Sequence, residues 1–278
     1  MSASNSTGAN SSVNAVPKTG PQRVAVVIAA RNDRSTIAPT VRACRAIPGV
    51  DLIVVVDDGS DDDTAQVARS AGAVAVRHSV PRGRSSALET GAKVAAMRDR
   101  VDWPARHILF LDPDLGDSAV EASVLVDAVT SGLADCAVGV TPVQERNPKL
   151  RRAAKAGAKL IRAKTGWLSS DSLSTQRCIR RDALNTLAPF WPVTSVDIGM
   201  TVDLLAGGFS VVELPCNFEH LEPKEPRKRP RWGKTSINDL WLALQTRRFT
   251  SRGLASRLRP EQVQQGIGIP YGASDEAS

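Results

Sequence analysis

Two acidic clusters, Asp57-Asp58 and Asp112-Pro113-Asp114, each follow directly on a run of mainly apolar residues, Leu52 to Val56 in one case and His107 to Leu111 in the other. Carboxylates grouped in this way supply the oxygen-rich ligand set that hard divalent cations favour. The competing reading is a turn leading into a helix, with acidic side chains facing the positive end of the helix dipole. The first cluster continues through Gly59-Ser60-Asp61-Asp62-Asp63-Thr64, where Ser60 and Asp63 have capping-box spacing, so that part of the run is assigned to structure. An EF-hand is excluded, because the D-x-D-x-D-G spacing and its terminal Glu are missing. A third group, Pro81-Arg82-Gly83-Arg84-Ser85, opens a helix after a strand. N–H groups at a helix start, a glycine that permits close approach and a neighbouring cation suit a phosphate, with a plain turn as the alternative.

The elements that must hold these groups follow from hydrophobic periodicity. Val24 to Ala30 and Leu52 to Val56 are unbroken, β-branched-rich runs, the pattern of strands covered on both faces of a parallel sheet. Between them Thr36 to Ala46 has helical spacing and stops before Pro48-Gly49, which completes a β-α-β unit. A helix to about Ala71, a strand at Val74 to Val76, a helix over Ser85 to Arg98 and a strand at His107 to Leu111 continue the alternation. Ser118 and Glu121 form a second capping-box pattern, opening a helix to about Val129. Alternation of this kind predicts an α/β fold with a Rossmann-like, mostly parallel central sheet flanked by helices, whose ligands sit at the carboxyl ends of the strands. Both acidic clusters fall at such ends. From Pro148 a Lys/Ala-rich helix runs to about Lys164, a loop covers Thr165 to Gln176, helices span Arg181 to Leu187 and Ser195 to Ala206, and Phe209 to Leu214 is a strand.

Composition narrows the choice further. With 278 residues, of which 42% are hydrophobic, the chain can bury one large core. Its longest apolar run, Val24 to Ala30, is far short of the roughly 18 to 20 residues that span a bilayer, so no transmembrane helix is expected. Residues 1–22 are rich in Ser and Asn, lack the features of a secretory signal, and read as a disordered tail. Cys44, Cys136, Cys178 and Cys216 form no C-x-x-C pair, which points to buried thiols in a reducing cytosol. Net charge is +7, yet Lys224 to Arg259 holds eleven basic residues against Glu225 and Asp239, a local +9 that leaves −2 for the rest. A basic end of this kind belongs near something anionic. Nucleic acid is excluded as a partner, since aromatic residues at 4% leave little to stack on bases.

Taken in order, strands leading to Ala30-Arg31-Asn32-Asp33, to Val56-Asp57-Asp58-Gly59-Ser60 and to Leu111-Asp112-Pro113-Asp114-Leu115-Gly116 resemble the family 2 glycosyltransferases of GT-A fold. The resemblance covers residues 22–245 and includes Leu173-Ser174-Thr175-Gln176-Arg177 and Val212-Glu213-Leu214-Pro215. It implies transfer of a hexose from a UDP- or GDP-linked sugar. Asp112 and Asp114 would then hold Mg²⁺ or Mn²⁺ on the donor diphosphate, Asp114 acting in catalysis, with Pro113 and Ala30, Arg31, Asp33, Asp57 and Asp58 lining the nucleotide-sugar pocket. Family members often carry Glu at the place of Asp33, and Asn-Arg-Gly-Lys where this chain has Pro81-Arg82-Gly83-Arg84, so Gly83 and Arg84 are expected on the donor phosphates across a departure from the pattern. His220 resembles the position from which some GT-A enzymes add a third metal ligand. His78 and His107 receive no role.

Inverting transfer requires a general base for the attacking hydroxyl. Asp197 matches the place where relatives put a Glu or Asp ahead of a helix facing the acceptor, with Asp203 as second choice. Ser174, Thr175 and Gln176 correspond to the acceptor-side L-S-G-Q, with Thr175 in place of Gly; Gln176 either hydrogen-bonds sugar or acceptor, or caps the loop. Lys224 to Lys234 resembles the basic loop of polyprenyl-phosphate sugar transferases, in which Arg229, Arg231 and Lys234 would grip an acceptor phosphate or face anionic lipid. The expected organisation is a tail (1–22), a GT-A domain (23–221, donor half 23–140, acceptor half 141–221), a basic loop with an amphipathic helix (222–260) and a second tail (261–278). Expected partners are the donor, a phosphorylated acceptor such as polyprenyl phosphate, an anionic membrane surface at the cytoplasmic face and a second copy of the chain. A soluble glucosyl-3-phosphoglycerate-type synthase and a non-catalytic sugar-nucleotide-binding protein are the alternatives.

Overall fold

A computed structural model of the chain describes residues 20–141, 148–187 and 196–222. Seven strands form one sheet in the order β3-β2-β1-β4-β6-β5-β7. They are β1 (Val24–Ala30), β2 (Val50–Asp57), β3 (Val74–Arg77), β4 (His107–Leu111), β5 (Cys136–Val140), β6 (Arg177–Ile179) and β7 (Val211–Pro215). Every pairing is parallel except those of β6, which runs against both β4 and β5. The mostly parallel sheet read from the sequence is therefore present.

Strand β1 lies inside the sheet between β2 and β4, and all seven of its residues are buried. Val24, Val26 and Ile28 point to one side, where they meet Ile37 and Val41 of α1 (Ile37–Cys44) and Leu125 and Val129 of α4 (Ser123–Thr130). Ala25, Val27 and Ala29 point to the other, against Ala87, Leu88, Ala92 and Ala95 of α3 (Arg84–Met97). The period-2 alternation feeds two cores at once, which is why the strand reads as continuously apolar. Helix α2 (Thr64–Ser70) joins the first face, and α6 (Arg181–Thr186) and α7 (Val196–Ala206) the second.

Close packing of α3 on the sheet depends on Gly91. A Cβ there would sit 2.3 Å from Val27 Cγ1 and 3.3 Å from Val56 Cγ2. Gly91→Ala is expected to lower unfolding free energy by about 1–3 kcal/mol, since an overfilled strand–helix contact has no exposed side chain to push aside. Urea unfolding measures it, and an unchanged midpoint would contradict the packing.

All four cysteines are buried and unpaired. Burial pushes the Cys44 thiol up to about 12 and the Cys136 thiol up to about 11, so neither offers a thiolate near neutral pH. All four should resist a disulfide reagent in the native protein and react once it is unfolded in guanidinium. His107, buried at the start of β4, is held below its ordinary value by desolvation and accepts the Arg181 N–H on Nδ1 at 3.3 Å.

Three sequence expectations differ from the structure. Ser60 and Asp63 do not form a capping box: the Ser60 hydroxyl donates to Asp57, and α2 starts at Thr64, whose N–H donates to Asp62 Oδ1 at 3.0 Å. Ser118 does not cap an α-helix either. It lies inside a 3-10 turn over Gly116–Ala122, its hydroxyl bonded to Leu115 O at 2.7 Å, and α4 begins only at Ser123. Strands β5 and β6 were not anticipated, and Gly20, expected in a disordered tail, lies against Trp103 and Pro104. The rest of that tail (1–19), the loop and helix expected at 222–260 apart from Glu222, and the C-terminal tail lie outside the described residues.

Candidate functional site

Chain order and sheet order reverse at β1: the chain first builds outward to β2 and β3, then returns to place β4 on the other side. The carboxyl ends of β1, β2 and β4 line up, with Ala30 paired to Asp57 and Ile28 to Leu111. A crevice outside such a switch point is where open α/β sheets bind ligands.

At the end of β4 the chain turns through Asp112-Pro113-Asp114, and Thr40 of α1 fixes the turn by bonding Pro113 O at 3.1 Å and the Gly116 N–H at 2.8 Å. The segment after β7 folds back over it. Leu221 N–H donates to Asp114 O at 2.7 Å, Glu219 N–H to Ser118 Oγ at 2.9 Å, and the Leu221 side chain packs on Gly116, where it would stand 2.8 Å from an added Cβ and where a φ of +53° favours glycine. This docking brings His220 Nδ1 to 3.0 Å from Asp114 Oδ1. Ligand atoms of Asp112, Asp114 and His220 all lie within 4.8 Å of one another. Two carboxylates and an imidazole converging from separate elements fit a divalent cation, and the nitrogen in the set suits Mn²⁺ better than Mg²⁺.

Thr175 and Gln176 meet Asp112 from the other side. Thr175 Oγ1 donates to Asp112 Oδ2 at 2.7 Å and Gln176 Nε2 donates to the same oxygen at 3.0 Å. The Ser174 hydroxyl donates to Gly139 O. These residues, with Leu173, Thr141, Asp112 and His220, line a pocket of about 210 Å³. Their loop is fastened behind by Glu213 of β7, which accepts from Ser169 Oγ at 2.6 Å and from Ser170 N–H at 2.8 Å. The Glu213 within Val212-Glu213-Leu214-Pro215 thus anchors the loop that leads into Ser174, Thr175 and Gln176 to the sheet.

Asp58 is fully buried and holds the third motif. Its Oδ1 accepts from the Arg82 N–H and lies against His78 Nδ1, at 2.8 and 2.7 Å, while Oδ2 accepts from the Gly83 N–H at 2.8 Å. His78 Nε2 in turn meets Thr90 Oγ1 at 3.0 Å. With its oxygens engaged, Asp58 shapes the Arg82-Gly83 turn and so aims Arg84. Arg84 Nη1 donates to Asp197 Oδ2 at 2.7 Å, and Nη2 stands 4.0 Å from Asp112 Oδ1. Asp33 also acts within its own turn, where its Oδ2 accepts from the Arg31 N–H at 2.8 Å. Asp57 differs: Oδ1 takes the Ser60 N–H at 2.9 Å, whereas buried Oδ2 has no hydrogen-bond partner among the described residues and only the Arg77 guanidinium at 3.5 Å. Buried Arg31 Nε likewise lacks a hydrogen bond. Unbonded buried polar atoms cost about 1–3 kcal/mol each, so a polar ligand that reached these two would be stabilised by bonding them.

Asp197, in the first turn of α7, is met by Arg177 as well as Arg84. Arg177 Nη2 lies 3.5 Å from Asp197 Oδ1, and the same buried guanidinium donates to Asp197 O at 3.0 Å, Thr201 Oγ1 at 3.3 Å and Ser174 O at 2.7 Å. Asp203 lies about 120° away round the helix, on another face. The structure therefore gathers Asp112, Asp114, His220, Ser174, Thr175, Gln176, Arg84 and Asp197 around one crevice. Two residues without a sequence assignment belong with them, Arg177 and His78. Arg177 stood in the quoted Leu173-to-Arg177 run, whereas nothing in the sequence distinguishes His78 from an ordinary packed histidine. Arg229, Arg231 and Lys234 lie outside the described residues.

Residues 25–188 match the model of the family described as glycosyl transferase family 2. Over 218 residues the chain is 31% identical to the polyprenol monophosphomannose synthase of Mycolicibacterium smegmatis, covering 72% of this chain and 79% of that protein. It is 24% identical over 202 residues to glycosyltransferase AglJ of Haloferax volcanii, covering 71% and 63%. Among solved structures, the glucosyl-3-phosphoglycerate synthase of Mycobacterium tuberculosis in complex with Mn²⁺, UDP and phosphoglyceric acid superposes with a TM-score of 0.59 at 22% identity, over 83% of this chain and 78% of that one. At that identity the likeness concerns the fold, and the fold is GT-A, as the sequence motifs implied.

Proposed function

Because the chain belongs to glycosyl transferase family 2 and is a glycosyltransferase, we propose that it moves a hexose from a UDP- or GDP-linked sugar to a polyprenyl phosphate. The observation that carries the reading is the convergence of Asp112, Asp114 and His220 at the mouth of a pocket lined by the Ser174-to-Gln176 loop. These three residues would hold Mn²⁺ or Mg²⁺. A cation bound there supplies Lewis-acid stabilisation of the departing diphosphate.

Thr175 and Gln176 orient Asp112, and Ser174 fixes the loop on which the acceptor rests. Pro113 sets the turn that separates the two carboxylates. Ala30, Arg31 and Asp57 receive the nucleoside, whose donor groups satisfy Asp57 Oδ2; Asp33 and Asp58 hold the turns on either side. Gly83 and Arg84 face the diphosphate. When a donor phosphate draws the Arg84 guanidinium, Asp197 is left to accept the proton of the attacking hydroxyl, still positioned by Arg177. Arg229, Arg231 and Lys234 grip the acceptor phosphate. The GT-A domain of residues 23–221 acts with the basic segment 222–260 at the cytoplasmic face of a membrane; no described helix is long and apolar enough to cross one. The acceptor is favoured by the 31% identity to a polyprenol monophosphomannose synthase.

Thermal shift against a panel of nucleotide sugars, with and without Mn²⁺, identifies the donor, and its radiolabelled form is then offered polyprenyl phosphate and 3-phosphoglycerate in parallel. Label extracted into the organic phase is the expected result. Label on the soluble acid would overturn the acceptor, and no metal-dependent shift with any donor would overturn the reading as a whole.

A further inference from the structure

Helix α5 (Pro148–Thr165), with the sequence PKLRRAAKAGAKLIRAKT, carries seven basic residues and no acidic one. At 100° per residue, Arg151, Arg152, Lys155, Lys159 and Arg162 fall in one sector of about 100°, a stripe about 16 Å long. Ala154, Gly157 and Ile161 lie on the buried side. All five cations are exposed, and none has an ion-pair partner among the described residues. Arg151 with Lys155 and Lys155 with Lys159 are like-charge pairs at i, i+4, which weaken a helix in water. Immediately beyond the helix Gly166 turns the chain at φ +78°, and Leu168 stands 68% exposed.

The helix is rigidly tied to the candidate site. A Cβ on Gly157 would lie 2.4 Å from Ser172 Oγ and 2.8 Å from Ile198 Cδ1, and Ser172 Oγ donates to Ala154 O at 2.7 Å. Ser172 opens the loop that continues into Leu173, Ser174, Thr175 and Gln176 at the pocket. A one-signed stripe ending in an exposed leucine, carried on the acceptor-side wall, has the chemistry of an interfacial surface: cations for lipid phosphates and an apolar side chain for the boundary beneath them. A nucleic acid would use the cations and leave the leucine without a role.

We propose that the outer face of α5 docks the chain on an anionic lipid bilayer, with Leu168 entering the headgroup boundary and the acceptor-side loop held at the lipid surface. The purpose of this docking rests on the lipid-acceptor reading above, but its measurement does not. Full-length protein is sedimented with vesicles of phosphatidylcholine alone or with added phosphatidylglycerol, in the absence of donor and acceptor. Binding is expected only to the anionic vesicles. The variant K155Q/K159Q/R162Q should lower it roughly 100-fold, each surface-bound cation contributing about fivefold, with circular dichroism unchanged and with turnover of a short, water-soluble acceptor unchanged. Leu168→Ser should lower it several-fold further.

Undiminished vesicle binding by the triple variant would overturn the proposal, as would equal binding to neutral vesicles, or loss of binding in R229Q/R231Q/K234Q but not in the α5 variant. Preferential capture by single-stranded DNA at the same salt would also overturn it. A chain that binds anionic vesicles through α5 yet glycosylates no polyprenyl phosphate would leave the docking surface standing and remove the acceptor.

Discussion

Asp114→Asn is expected to lower sugar transfer about 10³-fold, corresponding to the several kcal/mol that a cation contributes at a departing diphosphate. The substitution is isosteric, and the contacts that shape the turn do not need the charge. Leu221 N–H bonds the backbone oxygen of residue 114, and an Asn side-chain oxygen can still face His220 Nδ1. The melting temperature should therefore move by less than about 4 °C, equivalent to about 1 kcal/mol for a chain of this size. Asp112→Asn is expected to be as severe, because Thr175 and Gln176 already engage Oδ2 and orient the other oxygen. His220→Ala should be milder, about 10-fold, with the loss made up in part by higher Mn²⁺. Steady-state rates over a metal titration separate the three; wild-type turnover by Asp114→Asn in EDTA would remove the metal from the account.

Asp197→Asn carries the second large effect. Loss of a positioned base typically lowers kcat by about 10²–10⁴ while leaving donor KM within a few-fold. Asn retains the volume and one side-chain oxygen, which can still accept from Arg84, while Arg177 keeps the backbone oxygen of residue 197. Asp203→Asn should leave kcat nearly unchanged, since that residue faces away from Arg84. Arg177→Lys tests positioning rather than chemistry: a lysine cannot reach Ser174 O, Asp197 O and Thr201 Oγ1 at once. Buried acceptors then lose their donor, so both stability and kcat should fall; Asp197→Asn also costs some stability, because it removes the counter-charge of buried Arg177, but its loss in kcat should be the larger. Equal losses from Asp203→Asn and Asp197→Asn would leave the base unassigned to either.

What could be read from the sequence was what depends on local pattern. Strands β1, β2 and β4 are largely buried on both faces and therefore appear as mainly apolar runs, and the acidic clusters mark the ends of β2 and β4. Strand β6 escaped notice because it is three residues long and begins with a buried arginine, a residue whose burial is repaid largely by Asp197 and Thr201, distant in sequence. The two failed capping boxes have one cause. The Ser60 hydroxyl donates to Asp57 and accepts the Asn32 N–H at 3.0 Å, and Ser118 Oγ donates to Leu115 O and accepts from Glu219; each hydroxyl is taken up by one preceding residue and one tertiary partner. The place of Asp112 and Asp114 at a strand end was legible from pattern, whereas their metal-binding role, like that of His220, was implied only by the resemblance. The Thr90–His78–Asp58 chain behind the Arg82-Gly83 turn was not legible, because it unites an isolated histidine, a threonine on α3 and a strand terminus. Likewise the engagement of Thr175 and Gln176 with Asp112 depends on β6 lying beside β4, a neighbour relation that spacing does not encode.

The measurement closest to the central claim is calorimetric titration of the donor's nucleoside diphosphate into the protein with Mn²⁺ and with the metal chelated. Asp112, Asp114 and His220 predict at least about 100-fold tighter binding with Mn²⁺ in the wild-type chain, a difference of about 2.7 kcal/mol, and no such difference in Asp112→Asn or Asp114→Asn. Equal affinity with and without the metal in the wild-type protein would contradict it.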